Sequence, residues 1–196
     1  MISVIVPLMP IKPYDTMVDE CVELLRKQTA KPEIIVAVQP VERYINKNKL
    51  LNDAFAKSNG NFVMHCDVDF RLTDETLLQR MKDRIVKDDL DVLYPKFVSQ
   101  LTRKNKIADG GPMFTRSGLY KVGKLDESLL GISYTTFPLL AYCLRYLRFD
   151  CSDDFMVDVI QNYASVKRKN GQTAKRLKPL FKETVSILKG RGAWPA

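Results

Sequence analysis

What this chain lacks narrows its chemistry before any motif is read. Its four cysteines, Cys21, Cys66, Cys143 and Cys151, stand far apart with no Cys-x-x-Cys pairing. Neither a zinc knuckle nor a disulfide framework is implied, and buried thiols in a reducing cytosol are expected. No apolar run reaches the roughly 18 residues of a membrane span, so none is predicted. Met1 to Met9 is apolar but is closed by Pro7 and Pro10 and lacks a basic leading region, so it reads as a strand rather than a signal peptide. Repeats and low-complexity tracts are absent too, which argues against a fibrous or disordered chain.

What is present suits one globular domain over residues 1–196, with 45% hydrophobic and 28% charged residues. A net charge of +8 favours polyanionic partners: nucleotide phosphates, nucleic acid or an acidic membrane surface. The excess is strongest at Lys167, Arg168, Lys169, Lys175, Arg176 and Lys178. This basic stretch reads as a solvated helical face, with contact to membrane or acceptor as the other reading. No zinc module, RNP motif or helix-turn-helix spacing accompanies the charge, so a nucleic-acid partner is not expected.

Ile2 to Leu8 and Glu33 to Val38 are short β-branched runs with the pattern of strands buried on both faces. Between them Met17, Cys21, Leu24 and Leu25 recur at helical spacing behind Asp15 or Thr16 as cap. A helix that contains Asn52 to Lys57, a third strand over Asn61 to Cys66, a helix from Thr73 through Leu77, Leu78, Met81 and Ile85, and a strand over Asp91 to Val98 follow. This alternation predicts a mainly parallel α/β sheet with helices on both faces, whose ligands gather at the carboxyl ends of its strands. The second half is less regular: Gly110-Gly111 opens a strand or turn, Pro138 to Tyr146 looks helical, and Phe149 to Val159 mixes strand and acidic-loop features.

Asp67-Val68-Asp69 stands where the third strand runs out, and side chains two apart in extended backbone point to one side. Two carboxylates can then converge on a hard divalent cation, Mn2+ or Mg2+, that shares substrate phosphates. His65 falls on the same side by alternation, within approach of a metal, although a single histidine in an apolar strand reads first as a satisfied core residue.

The order ISVIVPL, EIIVAVQ and LLNDAFAKSNGNFVMHCDVDF resembles the amino-terminal half of family 2 glycosyltransferases of the GT-A (nucleotide-diphospho-sugar transferase) fold. The resemblance covers roughly the first 130 residues. It implies a nucleotide-sugar-binding half over 1–98, an acceptor-side half over 99–160 and a basic helical segment over 161–196. By the same resemblance Pro7 belongs to the donor loop, Gln39 contacts the base, and Asp67 and Asp69 hold the metal-pyrophosphate. The family usually carries aspartate where this chain has Gln39, whose amide both donates and accepts. Arg43 and Lys49 are placed to meet the diphosphate unless they are solvated cations.

GGPMFTRSGLYKVGKLDESLLG resembles the family's acceptor-side segment, with Lys124-Leu125-Asp126-Glu127 fitting well. The paired acids expected a few residues beyond Gly131 are replaced by Tyr134, Thr135 and Thr136. The next acids, Asp153 and Asp154, are therefore candidates for the base that deprotonates the acceptor, Asp154 first and Asp150 as a nearby alternative, and Asp158 is a candidate third metal ligand. The expected activity is metal-dependent transfer of a sugar from a nucleotide-diphosphate sugar to a hydroxyl of a glycan, protein or lipid, with inversion. The expected setting is the cytoplasm, or its membrane surface. Small size and a divergent second half point to an unusual member, such as a virus could encode. The competing readings are a catalytically inactive GT-A scaffold and a basic nucleic-acid-binding protein; a nucleotidyltransferase is disfavoured because the loop Leu8 to Tyr14 carries no glycine-rich phosphate cradle.

Overall fold

Strict alternation of apolar side chains along the central strands decides how this chain is layered. The computed structural model describes residues 1–8, 14–39, 46–99, 105–107, 111–125, 127, 136–159 and 186. In order they form β1 (Ile2–Leu8), α1 (Tyr14–Lys27), β2 (Glu33–Val38), α2 (Lys47–Lys57), β3 (Phe62–His65), β4 (Phe70–Arg71) and α3 (Leu77–Lys87). Then come β5 (Val92–Ser99), β6 (Asn105–Ile107), β7 (Met113–Thr115), α4 (Arg116–Val122), α5 (Thr136–Tyr146) and β8 (Phe149–Val159). One sheet runs β2-β1-β3-β7-β5-β8-β4, with β6 paired to β5. The long ladders β1/β2, β1/β3 and β5/β8 are parallel, and β7, β4 and β6 pair antiparallel. The sheet is thus mixed but mainly parallel.

Ile2, Val4 and Val6 of β1 join one apolar cluster with Cys21 and Leu25 of α1 and Leu78 and Met81 of α3. Ile5, between them, joins a second cluster with Leu51 and Ala54 of α2 and Leu140 and Leu144 of α5. β3 and β5 divide in the same way: Met64 and Leu93 face the first cluster, and Val63, Val92 and Tyr94 the second. Helices therefore cover both faces, and each fully buried aliphatic side chain contributes about 1.5–3 kcal/mol.

β1 and β2 have the bounds read from the sequence, but β2 is not buried on both faces. It is the edge of the sheet, and Val36 and Val38 are 38% and 53% exposed. A β-branched run marks a strand without saying whether a neighbour covers it. Asp15 and Thr16, expected to cap α1, lie inside it. α2 contains Asn52 to Lys57 as expected and begins at Lys47, where the Asn46 side chain accepts from Lys49 N at 3.0 Å. α3 begins later, at Leu77: Asp74 takes the Thr76 N–H at 2.8 Å and its hydroxyl at 2.7 Å, so the residues expected in the first helical turn form a side-chain-closed turn instead. Phe149 to Val159 is strand throughout, and β4 was not anticipated. Gly110 and most of the basic segment 161–196 lie outside the described residues. Among the described residues no helix is long and apolar enough to cross a membrane.

The amino edge of the sheet is fastened by Asp91, which is 1% exposed. Its carboxylate accepts from the Arg148 backbone N–H at 3.0 Å, from Arg148 Nη2 at 3.0 Å and from Lys121 Nζ at 2.8 Å. Its carbonyl accepts from Thr115 N at 2.9 Å, so the starts of β5, β8 and α4 meet at one residue. Burial would raise this carboxyl, but the hydrogen bonds from Arg148 and Lys121 override it and hold Asp91 well below the usual carboxylate range. Asp91→Ala should destabilise the fold by about 1–3 kcal/mol, through loss of the charge-assisted hydrogen bonds that its carboxylate accepts, as read by urea unfolding. Because the folded-state carboxyl is depressed, its contribution is complete above about pH 4 and is lost as pH falls below that. The stability gap between wild type and Asp91→Ala should therefore shrink as pH falls below about 4.

Candidate functional site

The site lies where three parallel strands end together. β1 is level with β2 through Leu8↔Val38 and with β3 through Ile5↔His65. Two hydrogen bonds carry this alignment past the strand ends: Gln39 N donates to Leu8 O, and Cys66 N donates to Ile5 O, both at 2.9 Å. The segments leaving β1, β2 and β3 consequently surround one open cleft. Pro7, Gln39, Asp67 and Asp69, all singled out in the sequence, line it, and Tyr14 and Lys47 line it with them.

Asp67 is the most heavily engaged group. Lys47 Nζ lies 2.7 Å from Oδ1 and 2.9 Å from Oδ2, and His65 Nε2 lies 3.0 Å from Oδ1. Burial opposes ionisation, yet the neighbouring charges of Lys47 and His65, with their hydrogen bonds, hold this carboxyl far below its ordinary value. Asp69 is driven the other way: burial first, then the negative charge of Asp67, push it up to about 7. Two carboxylates two residues apart thus share a crowded negative site, with the cation of Lys47 against only one of them. Phe70 N donates to Asp67 O at 3.0 Å, closing the turn that carries Asp69.

Lys47 was not read from the sequence as a site residue. Its signal was there: with Leu51 and Ala54 it forms an i, i+4, i+7 stripe, so a lysine occupied the buried face of α2 and needed a carboxylate partner. Lys49, weighed as a phosphate ligand, instead pairs with Asp53 at 2.8 Å on the exposed helix surface, the ordinary i,i+4 arrangement. Arg43 lies outside the described residues. His65 is 3% exposed and its ring meets Asp67, so it supports a carboxylate from within the sheet.

The later acids are distributed along β8. Asp150 pairs in register with Leu93 near the start of β5, and its carboxylate lies 3.3 Å from Arg84 Nη2. That is the amino edge of the sheet, opposite the cleft, and the structure does not bring Asp150 to the site. Asp153 and Asp154 fall at the register shift between Ser152, opposite Pro95, and Met156, opposite Lys96. Asp158 is opposite Arg71, two residues beyond Asp69. Among the described residues no group of three or more His, Cys, Asp or Glu side chains is disposed to hold a metal by itself.

Lys47→Met should leave the buried Asp67 carboxylate without its cation and lower stability by about 3–5 kcal/mol in urea titrations. Adding Asp67→Asn to that variant should recover much of the loss, a non-additivity that a double-mutant cycle measures.

No family model matches this sequence, and no curated protein matches it in sequence. Solved structures do match its fold. TarS 1-349 of S. aureus in complex with UDP superimposes with a TM-score of 0.64 at 16% identity, over 81% of this chain and 60% of that one. The mannosyltransferase PcManGT of Pyrobaculum calidifontis, in complex with GDP-Man and Mn2+, gives 0.61 at 12% identity, over 99% of this chain and 65% of that one. The catalytic domain of Drosophila β1,4-galactosyltransferase 7, in complex with xylobiose, gives 0.63 at 16% identity, over 85% and 73%. This chain spans 36% to 66% of the TarS chains it matches. Its fold is the GT-A fold of nucleotide-sugar glycosyltransferases.

Proposed function

We propose that this chain is a metal-dependent glycosyltransferase, similar to family 2, that moves a sugar from a nucleotide-diphosphate donor to a hydroxyl acceptor. The observation that carries this reading is the convergence of Asp67, Asp69, Lys47, Pro7 and Gln39 on one cleft at the ends of three parallel strands. Neighbours of the same fold bind UDP, GDP-Man or UDP-GlcNAc, one of them with Mn2+.

Asp67 and Asp69 fit Mn2+ or Mg2+ in donor type and in number. Both are oxygen ligands on one cleft, their mutual repulsion favours a cation, and such ions take one or two carboxylates with the rest of the shell from phosphate and water. When bound, the metal would neutralise charge growing on the leaving diphosphate. Lys47 holds Asp67 ionised and oriented, and its ammonium is close enough to the cleft to meet a phosphate oxygen. Gln39 presents an amide to the nucleotide base, and Arg43 is assigned to the diphosphate. The acceptor oxygen attacks the anomeric carbon opposite the diphosphate, forming the new C–O bond as the bond to the diphosphate breaks. That opposite-face displacement inverts the anomeric carbon, and an acid of β8, Asp154 or its neighbour Asp153, takes the acceptor's proton. The acceptor hydroxyl belongs to a glycan, protein or lipid, and the basic 161–196 segment would meet an acidic membrane surface.

Mn2+ should bind weakly alone and more tightly with a nucleoside diphosphate, and Asp69→Asn should abolish that synergy. Calorimetry that finds unchanged metal-assisted nucleotide binding in this variant would remove Asp69 from the site. Asp154→Asn should leave donor binding intact while slowing transfer by roughly 10²- to 10⁴-fold. Normal transfer in that variant assigns the proton to Asp153, which the same assay on Asp153→Asn checks.

A further inference from the structure

The turn that bears Asp69 is held from beneath by a charged group that the proposed reaction does not use. Arg71, in β4, is 4% exposed. Its Nη1 donates to the carbonyls of Val68 at 2.8 Å and Phe70 at 3.1 Å, the residues on either side of Asp69. Its Nη2 donates to Glu20 Oε2 on α1 at 2.6 Å. Its Nε–H has no hydrogen-bond partner among the described residues.

Burying a guanidinium is costly, and leaving one of its N–H groups unpaired adds to the cost. A side chain placed only to stabilise the core would be replaced without loss by an apolar residue of similar size. The geometry instead spends one guanidinium nitrogen, Nη1, on two carbonyls of a single turn, and anchors the second, Nη2, to a helix. Rotation of the Asp69 backbone would break both carbonyl contacts and the Phe70 N to Asp67 O bond together. The opposing force is on the page as well: Asp67 and Asp69 repel, and a turn free to move would carry the two carboxylates apart.

We propose that Arg71 is a positioning residue for Asp69, locking the Val68 to Phe70 backbone so that the second carboxylate is preset for a divalent cation and a diphosphate. This rests on the glycosyltransferase reading. Arg71 acts through the turn and does not itself touch the ligand, and lysine cannot replace it, because one ammonium cannot hold the turn carbonyls and Glu20 together as two rigidly linked guanidinium nitrogens do.

The test is Mn2+ binding followed by electron paramagnetic resonance, with UDP and with GDP, on wild type, Arg71→Lys, Glu20→Gln and Asp91→Ala, at a temperature where each is folded by circular dichroism. Arg71→Lys should weaken Mn2+–nucleotide binding about 10- to 100-fold and alter the line shape of the bound ion, as loss of a group supporting a ligand does. Glu20→Gln, an exposed change expected to fold, should weaken it roughly 2- to 10-fold. Asp91→Ala, which destabilises the opposite edge of the sheet, should leave affinity and line shape unchanged, separating positioning from general stability. Wild-type affinity and line shape in Arg71→Lys overturn the proposal, and if that variant does not fold, wild-type affinity in Glu20→Gln overturns it. No Mn2+–nucleotide binding by wild type overturns both this proposal and the glycosyltransferase reading, whereas binding by wild type with indifferent variants overturns this one alone.

Discussion

Two carboxylates held two residues apart at the end of a buried strand repel each other, and the surrounding structure is organised around that repulsion. Asp67 is given a cation from α2 and an imidazole from its own strand. Asp69 has no such partner among the described residues and is pushed toward neutrality by burial and by Asp67. Beneath them, the Cys21 and Cys66 thiols approach the Asp67 carbonyl at 3.9 and 3.7 Å, and Arg71 grips the next carbonyls of the turn. The arrangement keeps negative charge concentrated at one point while the backbone that carries it stays fixed. A cation meeting such a site gains from the charge without having to reorganise the protein.

The opposite edge of the sheet carries the fastenings. Ser3 donates to Glu33 and accepts from Gly60 N, and Asn59 donates to Glu33 through its backbone and its side chain. Gly60 has no room for a side chain, since a Cβ there would lie 2.5 Å from Ser3 N. Arg116 reaches the carbonyls of Ser58 and Gly60 and so closes the end of α2. With Asp91 these contacts tie the starts of β1, β2, β5 and β8 to the end of α2 at the amino edge. The carboxyl edge keeps its polar groups facing a cleft, and this asymmetry is what an open α/β sheet needs in order to bind ligands at one end only.

α2 is tied to residues that follow its Asn52 by more than seventy positions. Asn52 exchanges hydrogen bonds with the backbone of Leu125, at 3.0 Å in each direction, and donates to Glu127 Oε1 at 2.9 Å. Asn46 caps the helix and also donates to Glu127 O at 2.9 Å. The helix that delivers Lys47 to Asp67 is therefore fixed to Leu125 and Glu127, which follow α4. A shift of either partner would be felt at the Lys47–Asp67 pair.

Some of this was legible in the chain alone. Strands β1 and β2 could be bounded to the residue, because runs such as Ile2 to Leu8 and Glu33 to Val38 carry a local β-branched pattern ended by proline or polar residues. The Asp67 and Asp69 pair could be placed at a strand end for the same local reason, and parallel alternation then implied the edge of the sheet on which it sits. Tertiary structure alone decided what depends on neighbours distant in sequence: that β2 is an edge, that Asp150 lies on the far side from the cleft, and that β4 finds β8. It also decided that Lys47 rather than Lys49 meets Asp67, and that Arg71 turns inward. Local propensity sets the conformation of a segment through its own side chains. Which side chains become partners depends on packing among segments dozens of residues apart, where burial makes an unpaired charge too costly to leave alone.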